Sequence, residues 1–176
     1  MANREALREL QTRLASRLQA ARSEGVSAAW LAVSAGGENY LFPLVQSGEI
    51  FPLANIQVVP YSRPWFMGVM NLRGGLFGVV DLTSFLGDGA ARIRTDQSLA
   101  ESSVVTFNVA LDINCALMVD GLAGLRKADA FASASAPSAG SPTCFGNRFT
   151  DLAGVHWQEI NLRTLAQAPE FLSISA

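Results

Sequence analysis

Past residue 25 the chain alternates apolar and polar positions in short runs separated by glycines and prolines, a pattern that predicts strands of five to eight residues. AAWLAVSA and ENYLFPL flank Gly36-Gly37, a pair that accepts positive φ cheaply, and so predict a β-hairpin. GEIFPL follows as a further short strand. Pro43, Pro52, Pro60 and Pro64 interrupt the region too often for a long helix between residues 26 and 66. PWFMGVMNL and GGLFGVVDL predict a second strand pair around Arg73-Gly74-Gly75. SSVVTFNVALDINCALMVD predicts a third, its strands meeting at Asp112. Before all of these, residues 3–22 carry a different period. Leu7, Leu10, Leu14, Leu18 and Ala21 recur at steps of three and four with Arg and Glu between them, which predicts one amphipathic helix ended by Gly25. Packing on its own domain, docking elsewhere and a short coiled coil are all compatible with that helix.

Capping signals punctuate the strands. Asp81 ends a strand directly before LTSFLG, where its carboxylate can accept hydrogen bonds from the free amides of a one-turn helix. Asn161 stands in the same relation to the strand HWQEI and the helix LRTLAQ. LMVDGLAGL, with Asp120, reads as a weaker third echo. The repetition of strand, cap and short helix suggests two similar halves. ASASAPSAGSPTC, residues 132–144, is small and polar and is expected to form a mobile loop.

The composition narrows the function. A chain of 176 residues with 49% hydrophobic content can bury a core without a disulfide or metal staple. Thirteen basic against fifteen acidic residues give no electrostatic footprint for nucleic acid. All the cations but Lys127 are arginine, whose planar fork suits interface contacts. No apolar run approaches the length of a membrane span, and MANREALREL places charges where a signal peptide would be apolar, so the expected compartment is the cytoplasm. Cys115 and Cys144 lack C-x-x-C spacing and are expected to be reduced thiols.

Catalytic and cofactor patterns are weak. The glycines of RGG lie between two strands, whereas a phosphate-gripping loop needs them before a full helix. The single histidine, His156, sits in the strand GVHW. A small hydrolase or transferase using Asp81 or His156 stands as the alternative of another class. No metal-ligand spacing is present, and no cofactor is expected. Glu49, in GEIFPL, and Arg73, at its turn, are the charges least explained by strand patterning. A contact between them would fix the Arg73 loop.

At GVMNLRGGLFGVVDLTSFLG the chain resembles the CheW-like family, the coupling adaptors of bacterial chemosensory arrays. Gly68, Asn71, Leu72, Arg73, Gly74, Val80, Asp81 and Leu82 match the family's N-L-R-G turn and V-D-L strand end. Glu49-Ile50 falls where the family has its Glu-Ile, and VVPYSRPWFMG matches its proline-bearing approach to the turn. LMVDGLAGL and EINLRTL are similar to its later segments. The likeness covers about residues 28–168 outside the Ser/Pro loop. Gly78 stands where the family usually has proline, and Ser47 where it often has an apolar contact residue. Among the branches, the chain looks most like the PilI-type adaptors of type IV pilus, or twitching motility, systems, with the flagellar couplers as the nearest rival.

The resemblance implies a mainly β fold of two intertwined five-stranded SH3-like barrels over residues 26–172, preceded by the helical extension 1–25. It implies no catalysis, no cofactor and no small-molecule substrate. The implied partners are the cytoplasmic tip of a chemoreceptor and the regulatory domain of a CheA-like histidine kinase, with the membrane reached only through the receptor. Glu49, Ile50, Gly68, Asn71, Arg73 and Gly74 would lie at or support those contacts, with Asp81 and Asn161 as structural caps.

Overall fold

A computed structural model describes residues 29–176; the helix expected over residues 3–22 lies outside them. The described chain is mainly β. The strands are β1 (Ala29–Ala35), β2 (Glu38–Pro43), β3 (Ser47–Pro52), β4 (Phe66–Leu72), β5 (Gly75–Asp81), β6 (Ser103–Phe107), β7 (Cys115–Val119), β8 (Gly121–Lys127), β9 (Phe131–Ser135), β10 (Phe145–Asp151) and β11 (His156–Ile160). The helices are α1 (Leu82–Leu86), α2 (Asp96–Glu101), α3 (Leu162–Gln167) and α4 (Pro169–Leu172).

Two sheets form, ordered β8-β1-β2-β11-β10-β9 and β3-β6-β7-β5-β4. Each contains one parallel pair, β2 with β11 and β5 with β7, among antiparallel neighbours. The first sheet takes strands from both ends of the described chain and the second takes its middle, so the two are interleaved in sequence. Alternation along β1 shows how the core is built. Leu31 and Val33 face a large layer between the sheets, shared with Val80, Leu82, Val105, Leu117 and Ile160, while Trp30 and Ala32 face a separate cluster with Leu41, Phe149 and Trp157. Met70, Leu72, Val79, Val104 and Met118 fill the interior of the second sheet.

The edges of that second sheet are stitched by the strap between β3 and β4. Leu53 N donates to Ser102 O at 3.1 Å, and Gln57 exchanges backbone hydrogen bonds with Val69 on β4 at 2.8 and 2.9 Å. The strap crosses β4 at Gly68, which is buried with φ 135°. A Cβ there would stand 2.2 Å from the Gln57 carbonyl oxygen, so only glycine permits the crossing.

The predicted hairpins form at Gly36-Gly37 and Arg73-Gly74, each turn with positive φ at both residues as two-residue type I′ loops require. Asp81 caps α1 through the Thr83 and Ser84 amides, and Asn161 caps α3 through Thr164 N. Three local readings are corrected. Residues 132–135 of the expected loop are part of β9, because backbone pairing with Arg148, Phe149 and Thr150 supplies hydrogen bonds that small side chains cannot signal. With β9 included, the first sheet has six strands where five were expected. Asp120 precedes strand β8 and not a helix, and its carboxylate is committed elsewhere. The helix α2, capped by Thr95, had no apolar stripe to betray it.

Cys115 and Cys144 are buried free thiols. Burial pushes the Cys115 thiol up to about 12 and raises Cys144 as well, so neither ionises near neutral pH.

Asp151, at the β10–β11 turn, accepts hydrogen bonds from Trp157 Nε1 at 3.0 Å and from the Val155 and Ala153 amides. The Trp157 bond, followed by that from Val155, holds its carboxyl below the ordinary aspartate value. A depressed folded-state pKa stabilises the fold above the unfolded value and withdraws that contribution as pH falls through the folded one. Asp151→Asn is therefore expected to unfold at lower urea than the parent at pH 7, with the gap closing below about pH 4. A gap independent of pH would show that the bonds do not depend on the charge.

Candidate protein-interaction site

The candidate site is built on the rim of the second sheet. A register shift between Ser47 and Ile50 bulges β3 against β6. The bulge is held by Thr106, whose hydroxyl accepts from Glu49 N at 2.8 Å and lies 3.3 Å from Glu49 O as donor. Gly48 is needed there, since a Cβ would meet Thr106 Oγ1 at 2.3 Å. The extra residue turns Glu49 and Ile50 outward, and Ile50 is 43% exposed.

The β4–β5 turn is equally defined. Arg73 takes φ 50° and Gly74 φ 83°, and the Asn71 side-chain oxygen accepts from Gly74 N at 3.0 Å. This geometry extends Arg73 from the rim, where its Nη2 meets Glu49 Oε2 at 2.9 Å. The guanidinium also lies 5.7 Å from the Phe51 ring centre. β3 and β4 are opposite edges of the sheet, so the contact reflects curling of the sheet. Both partners are more than half exposed, so the pair fixes geometry and contributes only about 0–1 kcal/mol.

The residues singled out by sequence thus divide. Glu49, Ile50 and Arg73 are presented to solvent; Asn71 and Gly74 shape the turn; Gly68 is buried beneath the strap. Ser47 is also buried, its hydroxyl donating to Pro43 O, so it offers nothing to a partner. Next to this rim an apolar cleft is lined by Leu53, Ile56, Val58, Met67 and Leu99.

Sequence reasoning missed Arg94. Its Nη2 and Nε reach Asp81 at 2.9 and 3.3 Å, and its Nη1 bonds Asp120. The second oxygen of Asp120 accepts from Gly36 N at 2.6 Å. One guanidinium therefore ties the start of α1, the end of β7 and the β1–β2 turn, joining both sheets. Desolvation pulls its pKa down, but hydrogen bonds to Asp81 and Asp120 outweigh that and hold it above the ordinary arginine value. Each Asp81 oxygen is occupied by Thr83, Ser84 or Arg94. His156 is exposed on the other sheet, its Nδ1 3.1 Å from Thr150 Oγ1. The structure does not bring the two together. Among the described residues no helix is long and apolar enough to cross a membrane.

Comparisons place this architecture among known proteins. The solved structure of the scaffolding protein TtCheW from Thermoanaerobacter tengcongensis superposes with a TM-score of 0.61 at 16% identity, covering 77% of this chain and 89% of that one, a likeness of fold. Protein PilI of Pseudomonas aeruginosa is 29% identical over 114 residues, 65% of this chain and 61% of its own length. The family model described as the CheW-like domain matches residues 29–167, the span of both sheets and of the rim bearing Glu49 and Arg73, and the chain belongs to that family.

Proposed function

We propose that the chain is a non-catalytic cytoplasmic adaptor that couples the cytoplasmic tip of a chemoreceptor to a CheA-like histidine kinase in the chemosensory system of type IV pili. The family membership and the likeness to PilI support the reading. The observation that carries it is the exposed Glu49–Arg73 pair, held in one geometry by a bulge, a type I′ turn and the Phe51 ring, with exposed Ile50 beside it. Arginine next to apolar surface is the usual composition of a binding hot spot. The pair makes and breaks no bond; it offers partners a preorganised contact.

Arg73→Ala is expected to weaken capture of a receptor-tip fragment or of the kinase regulatory domain on the order of tenfold. Its unfolding midpoint should move by no more than an exposed ion pair is worth. Pull-down titration alongside urea denaturation reads both quantities. Unchanged binding by the folded variant overturns the assignment.

A further inference from the structure

We infer that the Thr106 hydroxyl is a positioning group for recognition: it aims Glu49 at Arg73, and the contact surface depends on it where the fold does not. Its bearing on binding rests on the role proposed above for the Glu49–Arg73 pair. Ser47 pairs with Phe107 and Ile50 with Val105, so Gly48 and Glu49 together oppose Thr106 alone. The hydroxyl accepts from Glu49 N at 2.8 Å and reaches Glu49 O at 3.3 Å as donor. That amide and that carbonyl belong to the two peptide planes on either side of the Glu49 Cα. Holding both planes fixes the two soft backbone dihedrals of Glu49, and with them the direction in which its side chain leaves the strand.

Packing does not call for the hydroxyl. Thr106 pairs with Ala116 on β7 and so shares the apolar layer of Ala116, Val104 and Met118, where it is 5% exposed. Valine has the same shape, suits a strand as well and would bury no polar atom there. Register does not call for it either. Beyond the bulge Phe51 pairs with Val104 and packs on the same layer, which anchors the rest of β3. A ladder without the bulge would set Glu49 opposite Val105, on the face of the main core, where a carboxylate is costly. Loss of the hydroxyl therefore leaves the bulge in place and frees two peptide planes at an exposed residue, whose polar groups turn to water. Glu49 then samples other directions, and the preorganised pair with Arg73 is lost.

Thr106→Val in the full chain is expected to unfold at the urea concentration of the parent or higher. Its Glu49 amide should exchange roughly tenfold faster, and its capture of the receptor-tip fragment or the kinase regulatory domain should weaken about fivefold. Thr106→Ser keeps the hydroxyl and loses the methyl, so the pattern should reverse, with binding within about twofold of the parent despite a lower midpoint. Added to Arg73→Ala, Thr106→Val is expected to cost no further binding, because both act on one contact. Parental capture by Thr106→Val, where Arg73→Ala lowers it, overturns the positioning role and leaves the proposed function standing. Arg73→Ala without effect removes both. A lower midpoint for Thr106→Val, lost binding in Thr106→Ser, or a further loss in the Arg73→Ala background assigns Thr106 to packing and also overturns the role.

Discussion

Arg94→Ala is expected to lower the stability of the fold by about 3–5 kcal/mol, the range found when one partner of a buried ion pair is removed. Asp81 is 4% exposed and its oxygens are oriented by the Thr83 and Ser84 amides, so truncation leaves a largely buried carboxylate without its cation. Asp120 loses the bond from Arg94 that orients it and keeps the one from Gly36 N. The effect follows from stranding a carboxylate, so Asp81→Asn should relieve part of it. The double variant is expected to be more stable than the sum of the single effects. Arg94→Lys keeps the charge but not the fork and should fall between. Urea midpoints at pH 7 measure all four. A loss below about 1 kcal/mol for Arg94→Ala would class the cluster with ordinary surface pairs.

Gly68→Ala is expected to cost about 3–5 kcal/mol although it adds one methyl group. Two penalties coincide at this position. A φ of 135° is foreign to L side chains, and the new Cβ would press on the Gln57 carbonyl oxygen at 2.2 Å and Ile56 Cγ2 at 2.8 Å. Relief requires the strap to lift from β4, which breaks the Gln57–Val69 pairing that stitches the sheet. Gly74→Ala provides the comparison. Its φ of 83° is unfavourable, but nothing lies within 4 Å of the added carbon, so the expected loss is about 1–2 kcal/mol. Thermal or urea unfolding of the two variants separates the effects. Equal losses would mean that crowding at the crossing contributes nothing.

The features legible in the sequence are those whose determinants lie within a few residues of one another. The type I′ turns announce themselves because their glycines stand between apolar strands. Asp81 and Asn161 do so because a cap acts on amides two or three positions away. The Glu49–Arg73 pair was reachable as a conditional contact between two unexplained charges, and the curl of the sheet supplied the condition. Arg94 was not reachable. It lies in RIRTDQ, which reads as a solvated charge run, and its partners are 13 and 26 residues away, at the end of β5 and between β7 and β8. β9 was hidden for a related reason, since FASAS has little apolar pattern and is a strand only because Phe145–Asp151 is beside it. The burial of Gly68 likewise depends on where the strap crosses, which local patterning does not encode.

The interleaving of the two sheets has a mechanical consequence. β1 and β2 precede the middle sheet in the chain and β8–β11 follow it, so the second sheet is inserted within the first and two chain crossings tie them together. A load applied at one rim has no slack linker in which to dissipate. It passes through the shared aliphatic layer and the Arg94 clasp to the far side, so such a body transmits displacement as a rigid coupling does, by moving as a whole.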